Sequence, residues 1–263
     1  MNKPGMRLIL ASLLVVFTTP AVMADGQWKY TTGVDYSTGD YGDDPVDTDI
    51  TYLPFTASYT RENWTFKGTA AWLEIEGAGT VVGAGDGGVV IGNSGNVSST
   101  TESGLGDIWL SAMYSLSNIP PELLYLDVGA KLKIPTADED KGLGTGEIDY
   151  SLQADLFKPL GKATPFATVA YKIKGDPDGV DLDNVLYLSL GSDFKLSDET
   201  NVGASMDYQE ASTSSSDDAL ELFGYVKHKL DQQWSITLYG YQGLDDGSPD
   251  YGLGIQLAYK PQN

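Results

Sequence analysis

The chain contains no cysteine, so neither disulfides nor thiolate metal ligands can take part in its fold or chemistry. It contains a single histidine, His228. Enzymes embedded in barrels need a base to activate serine or water, and that base is usually histidine. His228 sits near the end of an alternating segment, in a phase that points it at lipid, so no catalytic residue is assigned and no enzyme is expected. The same shortage argues against a zinc-type centre, and no cofactor is expected. Long apolar runs are also missing. The longest, Leu8 to Phe17, is ten residues, where a membrane-spanning helix needs about 20. Positive charge is scarce: 16 Lys and Arg stand against 37 Asp and Glu, a formal charge of -21. That balance argues against nucleic acid as a partner.

What is present begins with a leader. Lys3 and Arg7 precede the apolar run, and Val22-Met23-Ala24 supplies a small-residue cleavage pattern, so residues 1–24 read as a secretory signal peptide. Its removal takes the charge to -23, because Lys3 and Arg7 leave with it. Residues 25–263 form one all-β unit. They are rich in Gly, Tyr, Thr and Ser and show no sustained helical periodicity. Twelve segments alternate with period 2, at 27–37, 48–60, 63–76, 105–117, 122–134, 148–158, 164–174, 183–196, 200–210, 219–230, 233–242 and 250–260. In the last, Tyr251, Leu253, Ile255, Leu257 and Tyr259 share one face, while Gly252, Gly254, Gln256 and Ala258 share the other.

A soluble sandwich alternates too, so two further patterns decide between the architectures. Connections alternate in length: Arg61-Glu62, Leu196 to Thr200 and Leu230 to Gln232 are short, whereas Gly77 to Gly104 is long. Aromatics fall at two levels. Trp28, Tyr59, Trp64, Phe194, Trp234 and Tyr259 lie at the short-turn end, and Tyr36, Trp72, Tyr150, Tyr171, Tyr208 and Tyr251 at the long-loop end. Both patterns belong to a transmembrane antiparallel up-and-down β-barrel of about 12 strands. Pro54, inside the second strand, is expected to form a bulge. Glu74 and Glu76 share a phase with Trp72, and His228 shares one with Val226, so the third and tenth strands alternate poorly.

The other face defines a polar lumen. Its inward-phase residues include Asp107, Trp109, Asp127, Lys131, Lys133, Asp155, Lys172, Lys174, Tyr187, Asp193, Asp207 and Glu221. Lys131, Lys133, Lys172 and Lys174 approach the loop end, and Glu147 and Asp149 open the strand between them. Two readings stand: fixed internal ion pairs that satisfy the wall, or a constriction in which lysines and opposing carboxylates select solutes by charge. Trp109 and Tyr187 are candidate stacking contacts for a solute. Asp43, Asp44, Asp47 and Asp49 cluster in the first long loop, and Asp176, Asp178, Asp181 and Asp183 in the fourth. These acidic external loops could hold divalent cations or bridge them to lipopolysaccharide, although neither spacing matches a calcium-binding loop. An acidic mouth favours cations or neutral solutes at first approach.

Two stretches, GLGDIWLSAMYSL from Gly104 and KLKIPTADEDKGLGTG from Lys131, resemble signatures of the outer-membrane barrels named for the meta-pathway of phenol degradation. The resemblance covers most of the mature chain. It implies an exported protein in the cell outer membrane, in contact with its lipid and lipopolysaccharide, that transports a small-molecule solute. It does not identify that solute as phenol. The expected function is a channel for passive uptake of a small solute, with aromatic or hydrophobic molecules in range. The alternative is a non-conducting structural or adhesion-type barrel that acts through its acidic loops.

Overall fold

The computed structural model describes residues 26–262 apart from 42–45, 80, 85–87, 91–97, 118 and 121–122. The leader expected over residues 1–24 therefore lies outside the described residues. The strands are β1 (Gln27–Gly39), β2 (Thr48–Arg61), β3 (Trp64–Gly77), β4 (Val81–Val82), β5 (Val89–Val90), β6 (Thr100–Leu105), β7 (Ile108–Ser115) and β8 (Tyr125–Ile134). The second half adds β9 (Asp149–Phe157), β10 (Ala163–Ile173), β11 (Val185–Lys195), β12 (Thr200–Gln209), β13 (Ala219–Lys229), β14 (Trp234–Gly243) and β15 (Tyr251–Tyr259).

Thirteen of these form one sheet in which β1 pairs with both β2 and β15 and β2 also pairs with β3, so the sheet closes on itself. Every pairing is antiparallel, and β6 and β7 share one position, both beside β3. The result is a closed barrel of twelve staves, which leaves no exposed sheet edge. A separate two-stranded hairpin, β4 with β5, belongs to the long loop after β3. The links at one end are short, residues 62–63, 158–162, 196–199 and 230–233 among them, and those at the other end are longer, up to residues 78–99.

The barrel wears its hydrophobic surface outside. Leu190 is 69% exposed and Leu253 63%, and both lie mid-strand with Leu110, Leu152, Met206 and Leu238 similarly open. In water such a continuous apolar band would be untenable; in a bilayer it is the contact surface. Aromatic residues border the band at the short-turn end, where Trp28 packs on Tyr59 at 4.9 Å, Trp64 on Tyr114 at 4.9 Å and Trp234 on Tyr259 at 4.6 Å. At the other end Tyr36, Trp72, Tyr150, Tyr171 and Tyr251 are exposed.

Two local expectations are revised and a third is explained. The fourth stave is not continuous: between Trp72↔Leu105 and Thr69↔Trp109 it holds one residue more than β3. The extra residue makes a bulge at Gly106 and Asp107. Pro54 makes none. The β1–β2 register is the same before and after it, from Thr32↔Phe55 to Asp35↔Tyr52. The ladder to β1 merely lapses there, and the Thr32 hydroxyl donates to the Pro54 carbonyl at 3.0 Å. Finally, the outer end of β3 inverts its polarity for a reason: Leu73 and Ile75 point inward into a core with Tyr41, Ile50, Val81 and Leu143, so Glu74 and Glu76 face outward. That core holds the β4–β5 hairpin at the loop end, inside the strands' rim. His228 is exposed at the short-turn end and its Nδ1 pairs with the Thr200 hydroxyl at 2.9 Å.

Candidate functional site

The lumen contains a cavity of about 600 Å³. It extends from mid-strand residues such as Gln153 and Gln256 to loop residues such as Asp217 and Pro249, beneath the β4–β5 hairpin. Five of the residues foreseen as lumen-facing line it: Lys131, Lys172, Tyr187, Asp207 and Glu221. Lys172 is the hub of this group. Its ammonium donates to Gln209 Oε1 at 2.6 Å and lies 5.1 Å from the centre of the Tyr187 ring. The Tyr187 hydroxyl in turn donates to Asp207 at 3.2 Å.

The remaining foreseen residues lie elsewhere. Lys133 and Lys174 are buried in an ion cluster, with Lys133 Nζ 3.0 Å from Asp149 and 3.7 Å from Asp107, and Lys174 Nζ 3.5 Å from Asp149. Asp107 accepts the backbone N–H groups of Thr136 and Ala137, both at 3.0 Å, and the Thr136 hydroxyl donates to the Gly106 carbonyl at 3.1 Å. The Gly-Leu-Gly-Asp stretch and the Lys-x-x-Pro-Thr stretch are thus two halves of one clasp, and Leu143 from the glycine-rich segment after it plugs the core beside Gly104. Trp109 borders a small second cavity beside Asp107 and Leu143. Three acids sit nearer the short-turn end: Asp155 accepts from Thr168 at 2.7 Å, Asp193 accepts from Tyr225 at 2.7 Å, and Asp127 lies opposite Asp155.

Sequence reading missed Asp35, Tyr239 and Tyr241, which also line the cavity. The Tyr241 hydroxyl donates to Asp35 at 2.9 Å, and Tyr239 bonds the same carboxylate. The signal was present in phase, since Asp35 alternates with the exposed Val34 and Tyr36. The two tyrosines fit because β15 presents glycine beneath them: a Cβ on Gly252 would overlap the Tyr241 ring, and one on Gly254 the Tyr239 ring. The rings therefore lie flat on the neighbouring strand instead of crossing the lumen.

Among the described residues no three acidic or imidazole groups converge as a metal site. In the fourth long loop Asp176 is engaged by the Leu182 N–H at 2.8 Å. In the first, Asp49 accepts from Tyr36 at 2.9 Å, and Asp43 and Asp44 lie outside the described residues.

A closed antiparallel barrel with a lipid-facing apolar band, aromatic girdles and a polar, loop-capped lumen is an outer-membrane β-barrel. Within that class the particular family is set by sequence: residues 31–261 match the family described as "Putative MetA-pathway of phenol degradation", and the chain belongs to it. Among solved structures, the chain resembles the COG4313 outer membrane channel from Pseudomonas putida F1, at 15% identity and a TM-score of 0.67, over 91% of this chain and 97% of that one. It also resembles the NanC porin, at 10% identity and a TM-score of 0.58, over 88% of this chain and 100% of that one. A third likeness, at 9% identity and a TM-score of 0.53, is to the KdgM porin in complex with disordered oligogalacturonate, over 88% and 99% of the two chains. At such identities these likenesses establish the fold. No curated protein matches the sequence.

Proposed function

We propose that this protein is an outer-membrane channel for passive passage of a small solute, exported by its N-terminal leader. The observation that carries the reading is the lumen cavity. Its volume of about 600 Å³ lies within the roughly 300–1,000 Å³ of sites for small molecules. Its wall mixes tyrosine rings with carboxylates, amides and lysines, so it offers a solute both stacking surface and hydrogen bonds. A barrel that served only as a scaffold for its loops would gain more stability by filling that volume with packed side chains. The hairpin β4–β5 narrows the loop end without filling the lumen below it, which makes the channel selective by size. The solute range includes small aromatic molecules, for which Tyr187, Tyr239 and Tyr241 are the contacts.

The test is conductance of the refolded protein in a planar bilayer. Discrete steps are the expected result. A fully inserted but silent barrel, with no uptake of small sugars into proteoliposomes, would overturn the channel reading and favour a structural or adhesive role for the acidic loops.

A further inference from the structure

Strand register places eight of the inward charges of the lumen in two separate rows, apart from the buried Lys133–Asp149–Lys174 cluster. Lys29 lies opposite Ser58, Ser58 opposite Lys67, Lys67 opposite Ser111, Ser111 opposite Lys131, Lys131 opposite Ser151 and Ser151 opposite Lys172. Seven consecutive staves thus share one row, with lysine on each rising strand and serine on each falling one. Strands in barrels tilt by about 35–45°, so a row drawn across them climbs the barrel axis. Lys29 stands at the short-turn start of β1 and Lys172 at the loop end of β10. The row therefore traverses the lumen, with successive lysines two strand spacings, about 10 Å, apart. Lys29 and Lys67 are exposed, and the buried Ser151 hydroxyl between Lys131 and Lys172 has no hydrogen-bond partner. At the short-turn mouth Lys29 has Lys67, Lys227 and Lys260 as like-charged neighbours.

The second row is acidic. Asp127 lies opposite Asp155, Asp155 opposite Thr168, Thr168 opposite Ser189, Ser189 opposite Asp207 and Asp207 opposite Glu221. On β8 it runs four residues from the lysine row, Asp127 against Lys131, a separation of about 13 Å along the strand. A wall arranged for stability would set opposite charges across from each other. Like charges directly opposed, as Asp127 and Asp155 are and Asp207 and Glu221 are, cost stability. Segregated rows make sense as paths.

We propose that the lysine row carries the anionic group of the solute, which is a small organic anion such as a carboxylate, while the acidic row carries its counter-cation. This rests on the channel reading above. Lysine gives the anion charge-assisted hydrogen bonds at each step, and a succession of weak sites is what conduction requires. The acidic loops oppose the anion only at approach, because their field is screened beyond about 8 Å at physiological salt.

The experiment measures reversal potentials in a potassium acetate gradient across planar bilayers, with acetate and arabinose uptake into proteoliposomes alongside. The variants are Lys67→Gln with Lys131→Gln, Lys67→Arg with Lys131→Arg, and Asp127→Asn with Asp155→Asn. Each lysine charge lost at roughly 7 Å from the path should raise the cation-to-anion permeability ratio about threefold, and the pair about tenfold. The arginine pair should hold the wild-type ratio and the asparagine pair should lower it, and arabinose uptake should stay unchanged in the single Lys67→Gln variant, which lies outside the cavity wall. The single Lys67→Gln change, at an exposed position, provides the reading if a paired variant does not insert. A conducting wild type whose ratio moves less than twofold in the lysine variants overturns the anion path alone. A wild type that conducts nothing overturns the channel reading on which it rests.

Discussion

Lys133→Met is the perturbation whose outcome is most tightly constrained by the geometry. The side chain is 0% exposed, so methionine keeps its stem packed and removes only the charge. The ammonium bridges Asp149 at 3.0 Å and Asp107 at 3.7 Å and donates to the Thr145 hydroxyl at 2.7 Å. Removing one partner of a buried pair typically costs about 3–5 kcal/mol, because the other charge is left behind. Here both carboxylates keep some support. Asp149 retains Lys174 at 3.5 Å and the Gly175 N–H at 3.0 Å, and Asp107 retains the Thr136 and Ala137 N–H groups. The cost should therefore fall at the lower end, about 3 kcal/mol. The assay is urea unfolding of the protein in phospholipid vesicles, followed by tryptophan fluorescence. Protease cleavage between residues 135 and 148 should rise in parallel, since the cluster ties that loop to the bulge in the fourth stave. A loss below about 1 kcal/mol would refute the argument that this cluster carries the clasp. The double variant with Asp149→Asn supplies a second check: Asp149→Asn should cost at least about 1 kcal/mol less in the Lys133→Met background than alone.

Leu190→Arg, at a mid-strand position facing out, should destabilise the barrel in vesicles by about 2–4 kcal/mol; equal stability would deny that this face meets lipid. Gly254→Ala should cost about 1–3 kcal/mol by forcing the Tyr239 ring away, and combining it with Tyr239→Ala should recover part of that loss in the same unfolding assay. Val89 is 2% exposed in the hairpin, so Val89→Asp should release β4–β5 and raise single-channel conductance with the barrel intact; unchanged conductance would show that the hairpin does not narrow the path. The Asp218 carboxyl is held below the usual carboxylate range by the Tyr208 hydroxyl at 2.7 Å and the Ala211 N–H at 2.8 Å. With the folded value depressed, its hold on residues 210–218 is complete above the unfolded value of about 3.9 and is lost as pH falls through the lower folded value. Pepsin should therefore cut that loop at the acid end of its range and spare it near pH 4, and Asp218→Asn should abolish the contrast.

Strand existence and facing were legible because alternation is local. Exposed Leu253, Ile255 and Leu257 on β15 lie on the face their spacing assigns to lipid. What alternation does not contain is the number of residues on the neighbouring strand. The bulge at Gly106 and Asp107 exists only relative to β3, and Pro54, which looks like a bulge in isolation, is absorbed because the β1–β2 register passes it unchanged. The loop after β3 is long and rich in glycine, yet Val81 and Val89 are buried, and Leu73, Ile75 and Leu143 offer Val81 an apolar site inside the rim.

The lysines show the same division. Lys131, Lys133, Lys172 and Lys174 share a phase and a level in the sequence, and nothing local separates them. Register does: Lys133 and Lys174 meet Asp149 in a sealed cluster, while Lys131 and Lys172 join Lys29 and Lys67, from strands distant in sequence, in one row across the wall. The sequence by itself determined the class of fold, the lipid-facing surface, the aromatic levels and the polarity of the lumen, because each follows from alternation along single strands together with the length of the links and the residues at the strand ends. Only the tertiary structure decided which charges are neighbours and what shape the cavity takes, because both depend on the stagger between strands, which is set by pairing across the closed sheet.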